Sequence, residues 1–369
     1  IEVGEDGWVR PGSLPHLQGS MPSAMNLPFQ PPLAPMEAKH VAALPSGDGW
    51  QFEPKWDGFR AVAFRDGKDL SLSSRKELPF NRYFPEIVEA VQTLSEKRLV
   101  LDGEIVVFTS DGKGLDFDAL LQRIHPAESR VRRLAKETPA SFIAFDLLAR
   151  KDRDFRPRPI RDRRVALEDV MKAAAPPLHL SPCTHDVRLA TRWLEAFVVQ
   201  GLDGVVAKRL DSPYRSGERE MLKVKRERTA DCVVIGFRWA KDLKGEAVGS
   251  LLLGLYGPDG ELWQVGFTSG FTQGARRELV KHLRPHREGT SAEPPPGQAP
   301  MSRWAQGKDL SYEKLRPELV VEVAFDQVTG HRIRHGSRFI RWRPDKPPEQ
   351  CTFEQLVQPA NVDLRKLLA

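Results

Sequence analysis

The sequence has few cysteines and no long apolar run, and both absences exclude classes of protein. Three of its 369 residues are cysteines, Cys183, Cys232 and Cys351, and no two of them form a C-x-x-C pair. Their spacing supports neither a zinc site nor a disulfide framework, which fits a reducing cytoplasm. No apolar stretch reaches membrane-spanning length, no signal-peptide pattern opens the chain, and we find no internal repeat. We therefore expect a cytoplasmic protein that does not span a membrane.

Composition places only broad limits on function. Apolar residues make up 40% of the chain and charged residues 29%, which is ordinary for a globular protein. The length predicts two or three domains with an ample core. The net charge of +6 favours a polyanionic partner, although so modest an excess is also common in proteins that bind none.

A short stretch around Lys55 carries the first chemical signal. Residues 50–54 alternate between two faces, which predicts a strand that delivers Lys55 to a loop. An amine beside the Asp57 carboxylate and the Arg60 guanidinium could act as a covalent nucleophile on a phosphate. Lys-x-Asp-Gly alone is weak evidence, because it should occur by chance in roughly one chain in ten of this size. The alternative is a solvated turn after a strand.

An Asp-Gly pair between two strand-like runs predicts a β-hairpin close to this stretch. If Asp66 and Gly67 are its two loop residues, Arg75 falls opposite Gly58 on the neighbouring strand. The hairpin would then bring Arg75 back to the Lys55 loop. The alternative is a surface arginine held in a salt bridge.

Two later strands offer further candidates. Asp102 and Glu104 share one face of a predicted strand at 99–108, and we interpret Gly103 between them as room for a ligand. Residues 141–148 are nearly all apolar and predict a buried strand, in which Phe145 would be a core residue by default.

A pair of lysines marks the end of this part of the chain. Lys223 and Lys225 share one face of a predicted strand at 221–226. Two like charges on one face are costly unless an anion lies there, and a triphosphate would be such an anion. The alternative is a solvated edge strand.

Beyond these lysines the pattern changes to short runs separated by Gly-rich or Pro-rich turns, with one helix at about 272–283. This predicts a small all-β barrel. Residues 287–300 contain nothing that could form a core and predict a flexible loop. Residues 331–346 are the most basic run, and Phe339 and Trp342 interleave it, which suits a nucleic-acid backbone. The alternative is a solvated pair of strands.

Six stretches, in this order, resemble motifs I, III, IIIa, IV, V and VI of the covalent nucleotidyltransferases, which include DNA ligases, RNA ligases and mRNA capping enzymes. They are Phe52–Arg60, Leu101–Ile105, Phe142–Asp146, Asp203–Lys208, Leu222–Lys225 and Arg343–Lys346. Residues 139–148, 265–272 and 320–346 resemble the small bacterial ATP-dependent DNA ligases, namely the ligase C type and the ligase module of ligase D. The resemblance covers roughly residues 26–358.

This resemblance implies an α+β fold. A nucleotidyltransferase domain, of the ATP-grasp-like adenylation type, would occupy residues 25–228 and an all-β OB-fold domain residues 229–369. Residues 1–24 do not match the family and are interpreted as a tag or linker outside the fold. A hinge is expected at 226–230, where the pattern changes.

The resemblance also implies three steps. Lys55 attacks the ATP α-phosphate to give lysyl-AMP, AMP passes to a DNA 5′-phosphate, and the 3′-hydroxyl displaces AMP and seals the strand. The catalytic residues would be Lys55, Asp57, Lys223, Lys225, Arg343, Asp345 and Lys346. The nucleotide would be bound by Glu53, Lys55, Arg60, Arg75, Glu104, Phe145, Lys223 and Lys225.

The metal, Mg²⁺ or Mn²⁺, would be held by Asp203 and Glu104. Asp203 stands where the family usually has glutamate, so its carboxylate reaches about one methylene less and its metal contact could become water-mediated. For Lys55 to act as a nucleophile, we expect neighbouring cations, Lys223, Lys225 and Arg60 with the metal, to lower its pKa.

Other functions remain open at this point. An RNA ligase or a GTP-dependent capping enzyme would share the lysyl-nucleotide chemistry, and an inactive OB-containing DNA-binding module could keep the motifs as a scaffold. An NAD-dependent ligase is disfavoured, because zinc-ligand cysteines are missing. The expected partner is nicked double-stranded DNA, with a repair polymerase or an end-binding factor as further partners. We expect a monomer that acts in DNA repair in the cytoplasm, at the nucleoid.

Overall fold

The computed structural model describes residues 24–196, 202–225, 227–293, 296, 311–334 and 336–356, together with 364 and 368. Contacts divide these residues into two compact units. The first unit lies within residues 16–226 and 360–369, and the second within residues 227–359. The helix at 364 therefore belongs to the first unit, where Leu364 is fully buried.

Among the described residues, the first unit contains ten strands and five helices, besides the helical residues Leu364 and Leu368. Its strands are β1 (Glu37–His40), β2 (Trp50–Lys55), β3 (Phe59–Asp66), β4 (Asp69–Ser74), β5 (Arg98–Val107), β6 (Ala140–Arg150), β7 (Arg153–Asp154), β8 (Leu178–Leu180), β9 (Gly204–Arg209) and β10 (Arg219–Val224). Its helices are α1 (Pro85–Thr93), α2 (Phe117–Gln122), α3 (Glu128–Glu137), α4 (Ile160–Met171) and α5 (Val187–Ala196).

These strands form two sheets with a shared core. One sheet has the order β1-β10-β9-β2, and the other has the order β4-β3-β5-β6-β7, with β8 paired to β6. Phe52 of β2, Val106 of β5 and Ile143 of β6 lie in one core cluster with Trp193 of α5. Strand β6 is buried along almost its whole length, which confirms the predicted buried strand and explains its nearly unbroken apolar sequence.

The predicted hairpin is present, but its register differs from the expectation. Asp66 pairs with Asp69, so Gly67 and Lys68 are the two loop residues. Gly67 has φ +63°, and a positive φ at the first loop position alone is typical of a type II′ turn, which needs glycine there. The pairing ends with Ser74 opposite Ala61. The prediction that Arg75 falls opposite Gly58 is therefore wrong.

The second unit is mainly β-structure. Its strands are β11 (Arg228–Trp239), β12 (Val248–Tyr256), β13 (Leu262–Thr268), β14 (Arg287–Ser291), β15 (Tyr312–Leu315), β16 (Val320–Phe325), β17 (Gln327–Thr329), β18 (Arg332–Arg334) and β19 (Arg338–Trp342). Helix α6 (Gln273–Leu283) begins after Thr272, whose hydroxyl accepts a hydrogen bond from the Ala275 N–H, and it confirms the predicted helix. Short 3₁₀ helices lie at Arg284–His286, Pro348–Gln350 and Phe353–Gln355.

A seven-stranded sheet organises this unit. Its order is β13-β12-β11-β15-β14, and β16 pairs with both β11 and β19, while β17 and β18 form a separate hairpin. The expected loop at 287–300 was partly wrong, because residues 287–291 form β14 through main-chain pairing with β15. Most of the remainder of that stretch lies outside the described residues. Among the described residues, no helix is long and apolar enough to cross a membrane.

Candidate active site

Lys55 is placed by the register of two strands. It ends β2 directly opposite Gly204, the first residue of β9, and the Asp203 N–H donates to the Lys55 carbonyl at 2.9 Å. This pairing puts the two side chains together, with 2.5 Å between Lys55 Nζ and Asp203 Oδ2. Gly204 has φ +136°, and an added Cβ would overlap the carbonyl oxygen of Val224 on β10. Only glycine allows β10 to approach this closely.

The two later lysines join the same cluster. Lys225 Nζ lies 3.4 Å from the Asp203 oxygen that Lys55 contacts. Burial lowers the pKa of Lys223, and the charges of Lys55 and Lys225 lower it further. The structure therefore brings Lys55, Lys223 and Lys225 together around one carboxylate.

The charge balance at Lys55 differs from the expectation. Burial lowers the pKa of Lys55, but three nearby carboxylates raise it by more, so the pKa lies above its ordinary value. These carboxylates belong, in order of effect, to Asp203, Asp57 and Glu104. Without a bound metal, the carboxylates that the fold assembles around Lys55 therefore outweigh the neighbouring cations that we expected to lower its pKa.

Glu104 lies in the same charged cluster. Burial raises its pKa to about 7, against the opposing charges of Arg60 and Lys55. The Asp57 and Asp102 carboxylates add to the rise. Carboxylate oxygens are the ligands that Mg²⁺ and Mn²⁺ prefer, and one or two of them suffice when phosphates complete the shell. The carboxylates of Asp203 and Glu104 are of the ligand type that such a metal prefers, although no described group of three or more His, Cys, Asp or Glu residues forms a complete protein site.

Arg60 is tied into the protein more tightly than the sequence indicates. Its Nε and Nη2 atoms each donate to a carboxylate oxygen of Asp102 at 2.6 Å, in a fork. Gly103 has a different role from the one expected, because an added Cβ there would lie 2.7 Å from the Ile143 carbonyl oxygen. The glycine therefore allows β5 to pack against β6, and its interpretation as room for a ligand is wrong. Alternation along β5 explains this, since the missing side chain points away from the Asp102 and Glu104 face.

Phe145 and Glu53 share a buried lysine that sequence reasoning did not assign. Lys208 Nζ lies 2.8 Å from Glu53 Oε1, donates to the Phe145 carbonyl at 3.2 Å and lies 4.9 Å from the Phe145 ring centroid. The guanidinium of Arg60 lies 4.3 Å from the same ring. Phe145 as a whole is only 8% exposed. A lysine inside the otherwise apolar run GVVAK was the signal that could have identified Lys208.

The remaining predicted residues belong to other elements. Arg75 follows β4 directly and is exposed. Arg343, Asp345 and Lys346 belong to the second unit, after β19. There the Arg343 guanidinium forks onto Asp345 and also donates to Asp231 Oδ1 at 2.8 Å. The hydrogen bonds from Arg343 lower the pKa of Asp345 to about 2.

Comparison with known proteins shows which family the chain resembles. The family model described as "ATP dependent DNA ligase domain" matches residues 31–225, and the model "ATP dependent DNA ligase C terminal region" matches residues 244–346. The chain is 47% identical over 359 residues to DNA ligase C of Mycobacterium tuberculosis, covering 93% of this chain and 99% of the relative. It is 49% identical over 348 residues to DNA ligase C2 of Mycolicibacterium smegmatis, covering 91% and 97%.

A solved structure supports the fold. A structure of a Lig E DNA ligase matches with a TM-score of 0.52 at 19% identity, over 84% of this chain and all of that one. The fold class expected from the sequence, a nucleotidyltransferase domain followed by an OB-fold domain, is confirmed. Because a ligase model covers more than half of the residues and relatives near 50% identity align along nearly the whole chain, this protein belongs to the ATP-dependent DNA ligases.

Proposed function

We propose that this ligase seals nicks in duplex DNA and that Lys55 is its nucleophile. Lys55 Nζ would attack the α-phosphorus of ATP, so that an N–P bond forms, the bond to pyrophosphate breaks and Nζ loses a proton. A DNA 5′-phosphate oxygen would then attack the AMP phosphorus and release the lysine. The 3′-hydroxyl would finally attack the 5′-phosphorus, seal the strand and release AMP.

One observation carries this proposal. Lys55 lies at the end of a strand, 2.5 Å from Asp203, with Lys225 on the same carboxylate oxygen and Lys223 in the same electrostatic cluster. A site that has to bind phosphates and also present an amine needs this density of cations beside one exchangeable partner. Lys55 is 23% exposed, so an incoming phosphate can reach it once the Asp203 contact opens.

The lysine must lose its proton before it attacks. Its raised pKa means that the ion pair with Asp203 stabilises the inactive, protonated form. We propose that the Asp57 carboxylate keeps the protonated Lys55 side chain in position before attack. Lys223 and Lys225 would neutralise the charge of the phosphates. Asp203 and Glu104 would hold Mg²⁺ or Mn²⁺, which would polarise the phosphate oxygens when bound.

The nucleotide would contact residues that belong to β2, β3, β5 and β6. We propose that Phe145 stacks on the adenine, that Glu53 and Glu104 accept hydrogen bonds from the nucleoside and that Arg60 donates to it. Arg75 would bind a phosphate of the AMP or of the nick. The burial of Glu53 beside Lys208 supports the proposed role of Glu53, because a carboxylate held in one orientation selects a hydrogen-bond donor more strictly than a mobile one.

The second unit would act in the first step and on DNA. We propose that Arg343, Asp345 and Lys346 orient the leaving pyrophosphate. A hinge at the start of the expected stretch 226–230, ahead of β11, which begins at Arg228, would let the barrel move between steps. The domain limits 25–228 and 229–369 are part of the proposal, except that Leu364 and Leu368, which pack in a core cluster of the first unit, would belong with the first domain. We further propose a monomer that acts in DNA repair at the nucleoid, alongside a repair polymerase or an end-binding factor.

Nick sealing tests the proposal. The substrate is a duplex with one nick, labelled at its 5′-phosphate, and the assay follows the sealed strand with ATP or GTP and Mg²⁺ or Mn²⁺. We expect the parent protein to seal the nick with ATP and a metal but not with GTP. We expect Lys55→Ala to seal no nicks. Lys136→Ala is the matched control, because Lys136 is an exposed lysine on α3. Sealing by Lys55→Ala, or sealing only of an RNA strand or only with GTP, would refute the proposal.

A further inference from the structure

The guanidinium of Arg60 has only one nitrogen left for a ligand. Nε and Nη2 both donate to Asp102, and Nη2 also donates to the Met36 carbonyl at 3.3 Å. One face of the guanidinium covers the Phe145 ring. Among the described residues, none accepts a hydrogen bond from Nη1, and 19% of the Arg60 side chain is exposed. The orientation of Asp102 therefore decides where Nη1 points.

Asp102 is itself held by a residue from a distant part of the chain. Its carboxylate is fully buried, and Oδ2 accepts a hydrogen bond from the Tyr214 hydroxyl at 2.6 Å. That hydroxyl in turn accepts from the Met36 N–H at 2.9 Å. Tyr214 lies between β9 and β10, Asp102 on β5 and Met36 just before β1, so three separate segments meet at one hydroxyl group. A carboxylate with fixed donors on both oxygens cannot rotate without losing one of them.

We propose that Tyr214 is a positioning residue for nucleotide binding. Its hydroxyl orients Asp102, Asp102 sets the plane of the Arg60 guanidinium against Phe145, and Arg60 presents Nη1 to the AMP moiety. This inference rests on the proposed role of Arg60 in binding the nucleotide. It adds a residue that none of the six family stretches contains.

A purely structural role for Tyr214 is the competing explanation. Tyr214 is 5% exposed and lines a cavity of about 260 Å³ together with Asp154, Arg156 and Ser216. Tyr214→Phe separates the two explanations, because it keeps the ring in place and removes only the hydroxyl. Tyr83→Phe is the matched control. Tyr83 is also buried in the first unit, and its hydroxyl makes no hydrogen bond with any described residue.

The experiment measures lysyl-AMP formation by the full chain in a single turnover. AMP is first removed with pyrophosphate, and the rate is then measured against ATP concentration. We expect Tyr214→Phe to raise the half-saturating ATP concentration about tenfold, the change that follows from losing one hydrogen bond to a charged group. The limiting rate should change less than about twofold, because a contact remote from the reacting phosphorus binds ground state and transition state alike. Tyr83→Phe should match the parent.

A double-mutant cycle shows whether Tyr214 acts through Arg60. Arg60→Lys keeps the charge but loses the fork and Nη1. If Tyr214 works only by orienting Arg60, the double variant should bind ATP no more weakly than Arg60→Lys alone. Additive losses would mean that Tyr214 acts by another route and would overturn the inference.

Other outcomes separate this inference from the proposed function. An Arg60→Lys variant with normal ATP binding would refute the role of Arg60 and the inference with it. A defective Arg60→Lys beside a normal Tyr214→Phe would overturn the inference alone. If thermal unfolding shows that Tyr214→Phe does not fold, Asp102→Asn takes its place. Weaker ATP binding by Asp102→Asn, with no further loss when it is combined with Arg60→Lys, would support the inference. Normal ATP binding by Asp102→Asn would overturn it.

Discussion

The buried pair of Glu53 and Lys208 allows a sharp test of the energetics around the nucleotide site. Only 3% of the Glu53 side chain and 4% of the Lys208 side chain are exposed, and 2.8 Å separates Oε1 from Nζ. Lys208→Met keeps most of the side-chain volume but removes the ammonium. Glu53 then keeps the hydrogen bond that the Gln51 amide donates at 2.7 Å and loses its ion pair with the lysine. Breaking a buried ion pair in this way costs about 3–5 kcal/mol, because a buried carboxylate is left without its counter-charge.

A second variant separates the charge from the packing. Glu53→Gln combined with Lys208→Met leaves no buried charge at this position, so we expect it to recover at least half of the lost stability. It should not recover lysyl-AMP formation, because Glu53 is proposed to bind the nucleotide. Glu128→Gln is the control for an exposed pair. Its arginine partner is 76% exposed, so the loss should stay below about 1 kcal/mol.

Hydrogen exchange followed by mass spectrometry measures these differences within the first unit. Peptides that cover β2 and β9 report the free energy of opening where the pair lies. A cost below about 1 kcal/mol for Lys208→Met would refute the reasoning. A double variant as unstable as Lys208→Met would refute it too, because the loss would then come from packing and not from an unpaired charge.

Three further predictions concern stability and titration. Gly103→Ala should lower the free energy of unfolding by about 1–3 kcal/mol, because the added Cβ meets a backbone carbonyl oxygen. Gly274→Ala is the control and should not destabilise the protein, because its added Cβ has no atom within 4 Å. Equal thermal unfolding of the two variants would contradict this prediction. Thr272→Ala removes the cap of α6 and should cost about 0.5–2 kcal/mol in thermal unfolding, while Thr272→Ser should cost little. The pKa of Asp345, about 2 beside Arg343, should rise towards about 3.9 in Arg343→Gln when followed by NMR. Because the folded-state pKa is depressed, the stability that this pair contributes is present above about pH 4 and is lost as the pH falls through about 2.

The sequence predicted the elements that depend on local pattern. The unbroken apolar run of β6, the helix at 273–283 and the strand that ends at Lys55 all follow from periodicity over a few residues. Turn geometry was harder to predict. Asp66 and Gly67 are typical of a type I′ loop, yet the loop uses Gly67 and Lys68, because a single positive φ at glycine closes the hairpin equally well.

Features that depend on strand pairing could not be predicted. Of the three carboxylates that raise the pKa of Lys55, Asp57 is a near neighbour in the sequence. Glu104 on β5 and Asp203 just before β9 come from 49 and 148 positions along the chain, so only strand pairing reveals them. Lys208 is buried because Glu53 lies on the adjacent strand. Strand β14 has no apolar side chain, so only its main-chain bonds to β15 reveal it.

The central claim is that Lys55 becomes covalently adenylated. The most direct test is an intact-mass spectrum of the purified protein, taken as isolated, after ATP with Mg²⁺ and after pyrophosphate, beside Lys55→Ala and Lys136→Ala. We predict an adduct of one AMP that pyrophosphate removes, that Lys136→Ala retains and that Lys55→Ala never forms. An AMP adduct on Lys55→Ala, or no adduct on the parent protein after ATP and Mg²⁺, would contradict the account.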